Sequence, residues 1–418
     1  MQGAARFLPG FYTFPALLHC MEGIVGTVEF QMSLLLFVAL AGYLLASRIN
    51  QSAVVGEILV GLVVGPSVLG LITYTDFVAS IAHLGAVILL FVIGLEFEIK
   101  EIFRLKYAII ALVGVIVPWL GGYWVSLLFG FNTASAIFIG TALTATSIAI
   151  TANILKELGK LDTEVAKAII GAAVIDDILS LIALSATTDI VSGTISFSSV
   201  SRLVIIAIIF VAGGAWIGRT WVSRLIVKMD ESEIAGKYPE FVFIFAMMFA
   251  FFYAMCAELI GLSAIVGGFI AGVSFVGVNL KRSRNLREGA EYLQMIFAAV
   301  FFVSLGVLAD VHQLTVPILG FLIVLTLVAI ITKVVGCAIP GRLTGLCGKD
   351  SLILGFGMAP RGEVAMIVAL IGLEQGVIGQ EVYVVIILMS LLTTLITPII
   401  YRNWLYKGEY CSYPQGEP

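Results

Sequence analysis

Long apolar stretches separated by short polar joints run through nearly the whole chain. A membrane-spanning helix needs about 20 mostly apolar residues, so the pattern predicts an all-α polytopic membrane protein with about thirteen transmembrane helices. The predicted spans are roughly residues 28–47, 53–73, 78–97, 107–129, 134–155, 163–187, 201–223, 239–258, 261–279, 290–309, 316–338, 350–374 and 381–405. The longest polar joint, residues 228–237, is too short for a nucleotide-binding or ligand-sensing domain, so we expect none.

The composition narrows the class of protein further. Hydrophobic residues make up 60% of the 418 positions, whereas Asp, Glu, Lys and Arg together make up only 12%. Soluble domains carry about 25% charged residues, so a soluble enzyme and a disordered chain are both excluded. The net charge of −4, with no basic run among aromatic residues, predicts no nucleic-acid partner. The five cysteines and three histidines are scattered, so no metal cluster and no cofactor is predicted.

Basic residues gather in alternate joints, and the other joints are nearly free of them. The basic joints contain Arg48, Lys100, Arg104, Lys106, Lys156, Lys160, Arg224, Lys228, Lys237, Lys281, Arg282, Arg284, Arg287, Arg342, Lys349, Arg402 and Lys407. Cytoplasmic loops are enriched in Lys and Arg, so we expect a multi-pass plasma-membrane protein in the lipid bilayer, with its N-terminus outside and its C-terminus in the cytoplasm. Twelve spans with one re-entrant segment remain the alternative.

Some ionisable residues fall inside the predicted spans, where a charge is costly and marks an ion path, a proton relay or an internal ion pair. They are Glu57, Glu96, Lys167, Asp176, Asp177, Glu258, Lys333, Arg361 and Glu363. Three of these, Glu96, Lys167 and Glu258, lie near predicted span ends, where long side chains reach the interface. For those three we favour a structural role.

Asp176 and Asp177 lie deep in the sixth predicted span. Asp176 comes 13 residues after its start, about 20 Å along a helix that rises 1.5 Å per residue. Neighbouring residues point about 100° apart on a helix, so one carboxylate can pair with a buried cation while the other faces a water-filled cavity. Lys333 is the candidate cation, although it could instead extend toward the inner face. Two such carboxylates favour the exchange of a proton for a metal cation.

Two predicted spans contain residues that interrupt helices. The fifth reads IFIGTALTATSIAITANIL, with a cluster of hydroxyl side chains, and the twelfth reads LILGFGMAPRGEVAMIVAL, with glycines and a proline around two charges. Irregular backbone at membrane depth survives only where it is buried in protein or lines a cavity. Interrupted segments at corresponding places in two halves indicate the binding site of a transporter.

The chain resembles the sodium/proton antiporters of the cation:proton antiporter superfamily, in the branch that also holds the Kef-type potassium/proton exchangers. The resemblance covers about residues 53–401. The matching segments are GEILVGLVVGPSVLG (56–70), LGAVILLFVIGLEFE (84–98), TALTATSIAIT (141–151), GAAVIDD (171–177), GLSAIVGGFIAG (261–272), FFVSLGVLAD (301–310) and GFGMAPRGEVAMIVA (355–369).

This resemblance implies thirteen helices in two inverted-topology repeats, with two broken helices that cross, in a homodimer that works by an elevator movement. The expected segments are an N-terminal outer or interfacial segment (1–27), a dimerisation domain (28–97 and 239–309), a core ion-transport domain (107–187 and 316–405), a linker helix (201–223) and a cytoplasmic tail (406–418).

The resemblance also implies roles for individual residues. Asp177 would bind Na+ and protons, and Asp176 would form an ion pair with Lys333 that breaks when the cation binds. The other expected site residues are Thr144, Thr146, Ser147 and Pro360 at the helix crossing, and Arg361, Glu363 and Glu57 as candidates for buried charge pairs.

The function we expect is antiport of Na+, or of Li+, against H+ at one shared carboxylate site. Adjacent aspartates accompany electrogenic exchange in this family, so the presence of Asp176 predicts charge movement. The alternatives are a K+/H+ antiporter of Kef type and an ion-coupled symporter on the same fold. An intramembrane aspartyl protease is not favoured, because its usual GxGD segment does not occur.

Overall fold

A computed structural model of the chain describes residues 27–98, 100, 104–192, 197–238, 240–276, 278, 286–313 and 316–407. The predicted outer segment, residues 1–27, lies outside these residues except for Thr27. The predicted tail, residues 406–418, lies outside them except for its first two residues. Every regular element of the described part is helical, which confirms the predicted all-α fold.

We number the helices in chain order. They are α1 (Val28–Arg48), α2 (Ala53–Val64), α3 (Asp76–Gly94), α4 (Leu105–Leu128), α5 (Thr133–Ala142), α6 (Ile148–Glu157), α7 (Glu164–Ser192), α8 (197–230), α9 (Glu233–Lys237), α10 (Phe241–Leu259), α11 (Ala264–Ser274), α12 (Leu286–Val307), α13 (Val316–Leu343), α14 (Gly348–Gly357), α15 (Glu363–Glu374) and α16 (Gln380–Ile400). In the described part of the chain, nine helices are long and apolar enough to cross a membrane.

The prediction of a multi-pass membrane protein is confirmed, and each predicted span overlaps one helix or a pair of short ones. The second and ninth predicted spans are longer than their helices, since α2 has 12 residues and α11 has 11. The α2 helix ends at Gly65, whose backbone is extended. Gly65 precedes Pro66, and a residue before proline is disfavoured in the α-helical region.

Two groups of helices pack mainly among themselves. Helices α1, α2, α3, α10, α11 and α12 form one group, which we call the panel bundle. Helices α4 to α7 and α13 to α16 form the other, which we call the broken-helix bundle. The two bundles meet where α3 packs on α6 and where α2 packs on α16. The site described below lies at this boundary.

Small residues bring helices of the panel bundle very close together. A Cβ atom on Gly56 of α2 would lie 2.0 Å from the carbonyl oxygen of Gly42 in α1, so no larger residue fits without moving the backbone. Membrane helices lack a hydrophobic driving force for association and use small residues to gain close van der Waals contact.

Helix α8 leads from the end of the broken-helix bundle's first half to the second part of the panel bundle. It is α-helical at first and then contains two π-helical turns, Ile209–Gly213 and Gly218–Val222. It packs against α7, α10 and α11, and the Tyr253 hydroxyl of α10 donates a hydrogen bond to the Gly214 carbonyl at 2.7 Å. The predicted linker helix, residues 201–223, falls within α8.

Candidate ion-binding site

The broken-helix bundle contains two spans that are each interrupted halfway, so that each span consists of two short helices. Residues 143–147 separate α5 from α6, and residues 358–362 separate α14 from α15. Both interruptions lie in the segments where the sequence predicted irregular backbone.

The two interruptions touch and satisfy each other's backbone groups. The Ser147 N–H donates to the Pro360 carbonyl at 2.9 Å, and the Thr146 hydroxyl donates to the Met358 carbonyl at 3.1 Å. One turn further on, the Thr151 hydroxyl donates to a carbonyl at the end of α14 at 2.6 Å. A break in a membrane helix exposes carbonyls and N–H groups that need such partners. The structure therefore brings Thr146, Ser147 and Pro360 together.

Two buried cations hold the carbonyl end of α5. The Lys333 ammonium donates to the Thr144 carbonyl at 2.7 Å, and the Arg361 guanidinium donates to the same oxygen at 3.3 Å and to the Ala145 carbonyl at 2.6 Å. Arg361 also donates to the Ala329 carbonyl at 3.2 Å. The C-terminal end of a helix carries partial negative charge, which stabilises a cation placed there. Thr144 contributes its backbone oxygen to this arrangement.

Asp176 and Lys333 form an ion pair across the interior of the broken-helix bundle. The Lys333 Nζ atom lies 2.8 Å from Asp176 Oδ1, and both side chains are fully buried. A buried charge needs a partner of opposite sign, so each of these two residues stabilises the other.

Asp177 points away from that pair and lines a small cavity at the boundary between the bundles. The cavity has a volume of about 20 Å³, enough for one water molecule or one small cation. Its other polar lining comes from the side chains of Thr146, Ser147, Ser263 and Glu363. Carboxylate and hydroxyl oxygens are ligands that hard cations prefer.

A cavity of about 590 Å³ adjoins the small one, and the two share Ser263, Phe301, Glu363 and Val364 in their walls. The large cavity lies between α3, α10, α11 and α12 of the panel bundle and α7 and α15 of the broken-helix bundle. The His83 imidazole and the Glu258 carboxylate lie 3.4 Å apart in the wall of this cavity, and both side chains are roughly half exposed. We call this end of the boundary the cavity end.

Polar side chains close the opposite end of the boundary, which we call the basic end. Lys156 of α6 contacts Gln294 of α12 at 2.7 Å and Glu291 at 3.4 Å. Glu157 of α6 accepts a hydrogen bond at 2.6 Å from Ser52, which precedes α2. Within the panel bundle, an arginine at the start of α12 pairs with Glu291 and with a glutamate after α3. The bundles are thus tied together at this end.

The structure does not bring together the three residues considered for buried charge pairs. Among the described residues, Arg361 binds backbone carbonyls and forms no ion pair, because the interruption of α5 leaves those carbonyls free. Glu363 instead accepts a hydrogen bond from the Ser263 hydroxyl at 2.7 Å. Glu57 is buried in α2, where its backbone packs against Gly42.

Sequence reasoning missed Ser263 and the polar contacts at the basic end. In the sequence, Lys156 serves only as one of the basic residues that indicate a cytoplasmic joint. Its position at the end of a span does not indicate a partner on the other bundle. Ser263 lies near the start of the predicted ninth span, after Leu262, and this position gives no sign that it faces a cavity. In the described ranges, no group of three or more His, Cys, Asp or Glu residues is placed to hold a metal ion.

Comparison with known proteins identifies the family to which the chain belongs. The family described as "Sodium/hydrogen exchanger, transmembrane" matches residues 34–407. The Na(+)/H(+)-K(+) antiporter GerN of Bacillus cereus is 34% identical over 385 residues, which cover 88% of this chain and 94% of GerN. A Na(+)/H(+) antiporter of Enterococcus hirae is 30% identical over 380 residues, which cover 90% of this chain and 97% of that protein.

The fold is similar to that of the sodium proton antiporter MjNhaP1 from Methanocaldococcus jannaschii at pH 8. The TM-score is 0.64 at 17% identity, over 93% of this chain and 97% of MjNhaP1. The family match and the relatives identify the family, and the structural comparison shows a similar fold. The chain belongs to the transmembrane sodium/hydrogen exchanger family, which is a family of ion transporters and not of enzymes.

Proposed function

We propose that this protein exchanges Na+ for H+ across a membrane, with both ions competing for the carboxylate of Asp177. The observation that carries the proposal is the position of Asp177, which lines an ion-sized cavity beside the two helix interruptions. The cavity walls add hydroxyl oxygens to the carboxylate. Relatives that cover most of this chain are named as antiporters of these two ions.

The ion pair between Asp176 and Lys333 is the second part of the proposed mechanism. Without a cation, Lys333 neutralises Asp176; when Na+ binds beside the two carboxylates, the ammonium is displaced. In this proposal the displaced Lys333 also releases its proton, so two protons, one from Asp177 and one from Lys333, exchange for one Na+. The charges carried in the two directions then differ, and exchange is electrogenic. Li+ is the second cation that we expect the site to accept, since it is also small and hard.

Alternating access follows, in this proposal, from an elevator movement of the broken-helix bundle against the panel bundle. The boundary is open to a large cavity at one end and tied by polar contacts at the other. With the basic end in the cytoplasm and the N-terminus outside, the arrangement faces outward at the plasma membrane. The panel bundle then forms the contact within a homodimer.

The two halves of the broken-helix bundle support inverted-topology repeats within thirteen spans. In the first half, α4 is followed by the pair α5–α6 and then by α7, which carries the aspartates. In the second half, α13 carries Lys333 and is followed by the pair α14–α15 and then by α16. Each half thus has one interrupted span between two continuous helices.

A cation panel on purified protein in proteoliposomes tests this function. We expect Na+ and Li+ to release protons and K+ not to, and we expect Asp177→Asn to abolish exchange. The exposed Asp162, in the joint before α7, offers a matched control, and Asp162→Asn should exchange at the wild-type rate. Substantial Na+/H+ exchange by Asp177→Asn would contradict the proposal.

K+/H+ exchange is the second candidate, and the name of GerN, which includes both Na+ and K+, favours keeping it. The same panel separates the two candidates. Proton release by K+ at the rate seen with Na+ would establish the broader selectivity, with Asp177 still as the shared site.

A further inference from the structure

The order of residues along the two cavities isolates one carboxylate that the proposed mechanism leaves without a role. Asp177 lines only the small cavity, the histidine and Glu258 at the rim line only the large one, and Glu363 lines both. An ion that travels between the rim and Asp177 therefore passes Glu363.

We propose that Glu363 carries the proton between Asp177 and the water of the large cavity. In the release step, the O–H bond of a protonated Asp177 breaks and a new O–H bond forms on the Glu363 carboxylate. Glu363 then gives the proton to water, and uptake runs through the same steps in reverse. This inference rests on the proposed function of Asp177 and adds a residue to it.

In the part of the chain that the structure describes, Glu363 forms no ion pair with a lysine or arginine, and its local structure explains how the carboxylate persists at this depth. Glu363 is the first residue of α15, where the free N–H groups of the helix give partial positive charge. The Ser263 hydroxyl donates to its Oε1 atom at 2.7 Å. These two features stabilise the ionised form, yet neither one neutralises it as a lysine would. The group can therefore gain and lose a proton.

The space between the two carboxylates suits a proton relay. The cavity lined by both Asp177 and Glu363 has a volume of about 20 Å³, which holds about one water molecule. One water with partners on both sides connects two carboxyl groups within hydrogen-bond reach. Phe301 also lines both cavities.

The hydrogen bond from Ser263 also crosses between the bundles, because Ser263 precedes α11 of the panel bundle and Glu363 begins α15. Movement of one bundle past the other would break this bond. Ser263 is therefore a positioning residue, which holds the Glu363 carboxylate between the cavities only while the boundary has the arrangement described above.

The ionisable groups around Glu363 come from several helices. They are Asp177 from α7, His83 from α3, Glu258 from α10, Tyr74 from the joint before α3, and Arg361 two residues earlier in the chain. Burial raises the pKa of Tyr74, and the nearby Glu363 acts in the same direction. The phenol therefore stays protonated and does not compete for the relay.

The test is Glu363→Gln, which keeps the size of the side chain and an oxygen that accepts from Ser263 but cannot carry a proton. We expect the exchange rate in proteoliposomes to fall by about 10²-fold, the usual contribution of a positioned proton carrier. We expect Na+ binding to the purified variant, measured with radioactive Na+ at alkaline pH, to be unchanged. The matched control is Glu374→Gln at the exposed end of the same helix, which should behave as wild type.

Failure of this inference and failure of the proposed function give different results. Exchange by Asp177→Asn would refute the shared site. If Asp177→Asn is inactive while Glu363→Gln exchanges at the wild-type rate across the pH range, only the relay is refuted. Loss of Na+ binding in a folded Glu363→Gln variant would overturn the relay too, since Glu363 would then be a cation ligand.

Two further variants keep the inference testable if Glu363→Gln does not fold. Glu363→Asp retains a titrating group but withdraws it by one methylene, so we expect a slower rate that is restored partly at a shifted pH optimum. Ser263→Ala removes the positioning bond, and we expect a shift of the pH optimum of exchange. A pH profile identical to that of the wild type in both variants would overturn the proposal.

Discussion

The two ends of the boundary between the bundles are built from different kinds of side chain. At the cavity end, mostly apolar walls leave about 590 Å³ open and lead to Asp177. At the basic end, Lys156 and Glu157 reach from α6 to Gln294, Glu291 and Ser52 on the other bundle. Helices α6 and α12 contribute to the boundary at both ends. In this structure polar contacts close the boundary at the basic end, whereas mostly apolar side chains leave it open at the cavity end.

Partial exposure sets the strength of the contacts at the basic end. The Lys156 and Glu291 side chains are 25% and 30% exposed. Ion pairs in contact with water contribute about 0–1 kcal/mol each. Contacts of this strength would allow the basic end to open in the proposed elevator movement.

The largest effect on stability and transport should come from removing the buried charge of Lys333, which lies between the two ends. Lys333→Gln leaves Asp176 buried without its cation, and breaking a buried pair costs about 3–5 kcal/mol of folding free energy. We expect a clear fall in the thermal unfolding temperature in detergent. We also expect the exchange that remains to lose its dependence on an imposed membrane potential.

The control for this prediction is Lys228→Gln, since Lys228 is exposed near the end of α8. It should unfold and exchange as the wild type does. If Lys333→Gln were as stable as the wild type and its transport equally sensitive to potential, the proposed role of the Asp176 pair would be wrong.

A smaller effect should follow from loosening the basic end. Lys156→Met keeps the aliphatic part of the side chain and removes its contacts with Gln294 and Glu291. Losing about 1 kcal/mol there should speed amide hydrogen exchange about fivefold in residues 286–298. Amides that line the large cavity should be unaffected, and uniform acceleration at both ends would contradict the comparison between them.

The smallest effect should come from the rim of the large cavity. His83→Gln removes the pair with Glu258, whose two side chains are 41% and 57% exposed. We expect the free energy of unfolding to change by less than about 1 kcal/mol and the exchange rate to stay the same. A loss of activity comparable to that of Glu363→Gln would show that the rim takes part in transport.

Much of the site could be predicted because charges are rare inside the spans. Asp176 and Lys333 were paired from the sequence because Lys333 is a cation of comparable depth, and the ion pair at 2.8 Å agrees with that. The two interruptions were also visible, since hydroxyls, glycines and a proline stand out in apolar spans. Charged residues and helix-breaking residues are rare within the apolar spans, so each one indicates a candidate part of the site.

The remaining contacts depend on backbone groups and on long-range packing, which leave no mark in the sequence. Arg361 binds carbonyls that become free only because α5 ends at Ala142. Ser263 meets Glu363 only because α11 and α15 face each other across the boundary. The sequence predicts too long a second span for a different reason. The apolar run continues past Gly65, whereas the α2 helix ends at Val64.

The carbonyl oxygen of Thr144 accepts hydrogen bonds from two different cations, and this redundancy has a consequence for the working cycle. If Lys333 swings away from Asp176, Arg361 still donates to that oxygen, so the end of α5 keeps a backup donor. The lysine is then free to leave and return while the scaffold around it stays still. A substitution of Arg361 should therefore leave the first binding of the ion intact. It should slow the return of Lys333 to Asp176 after the ion has left.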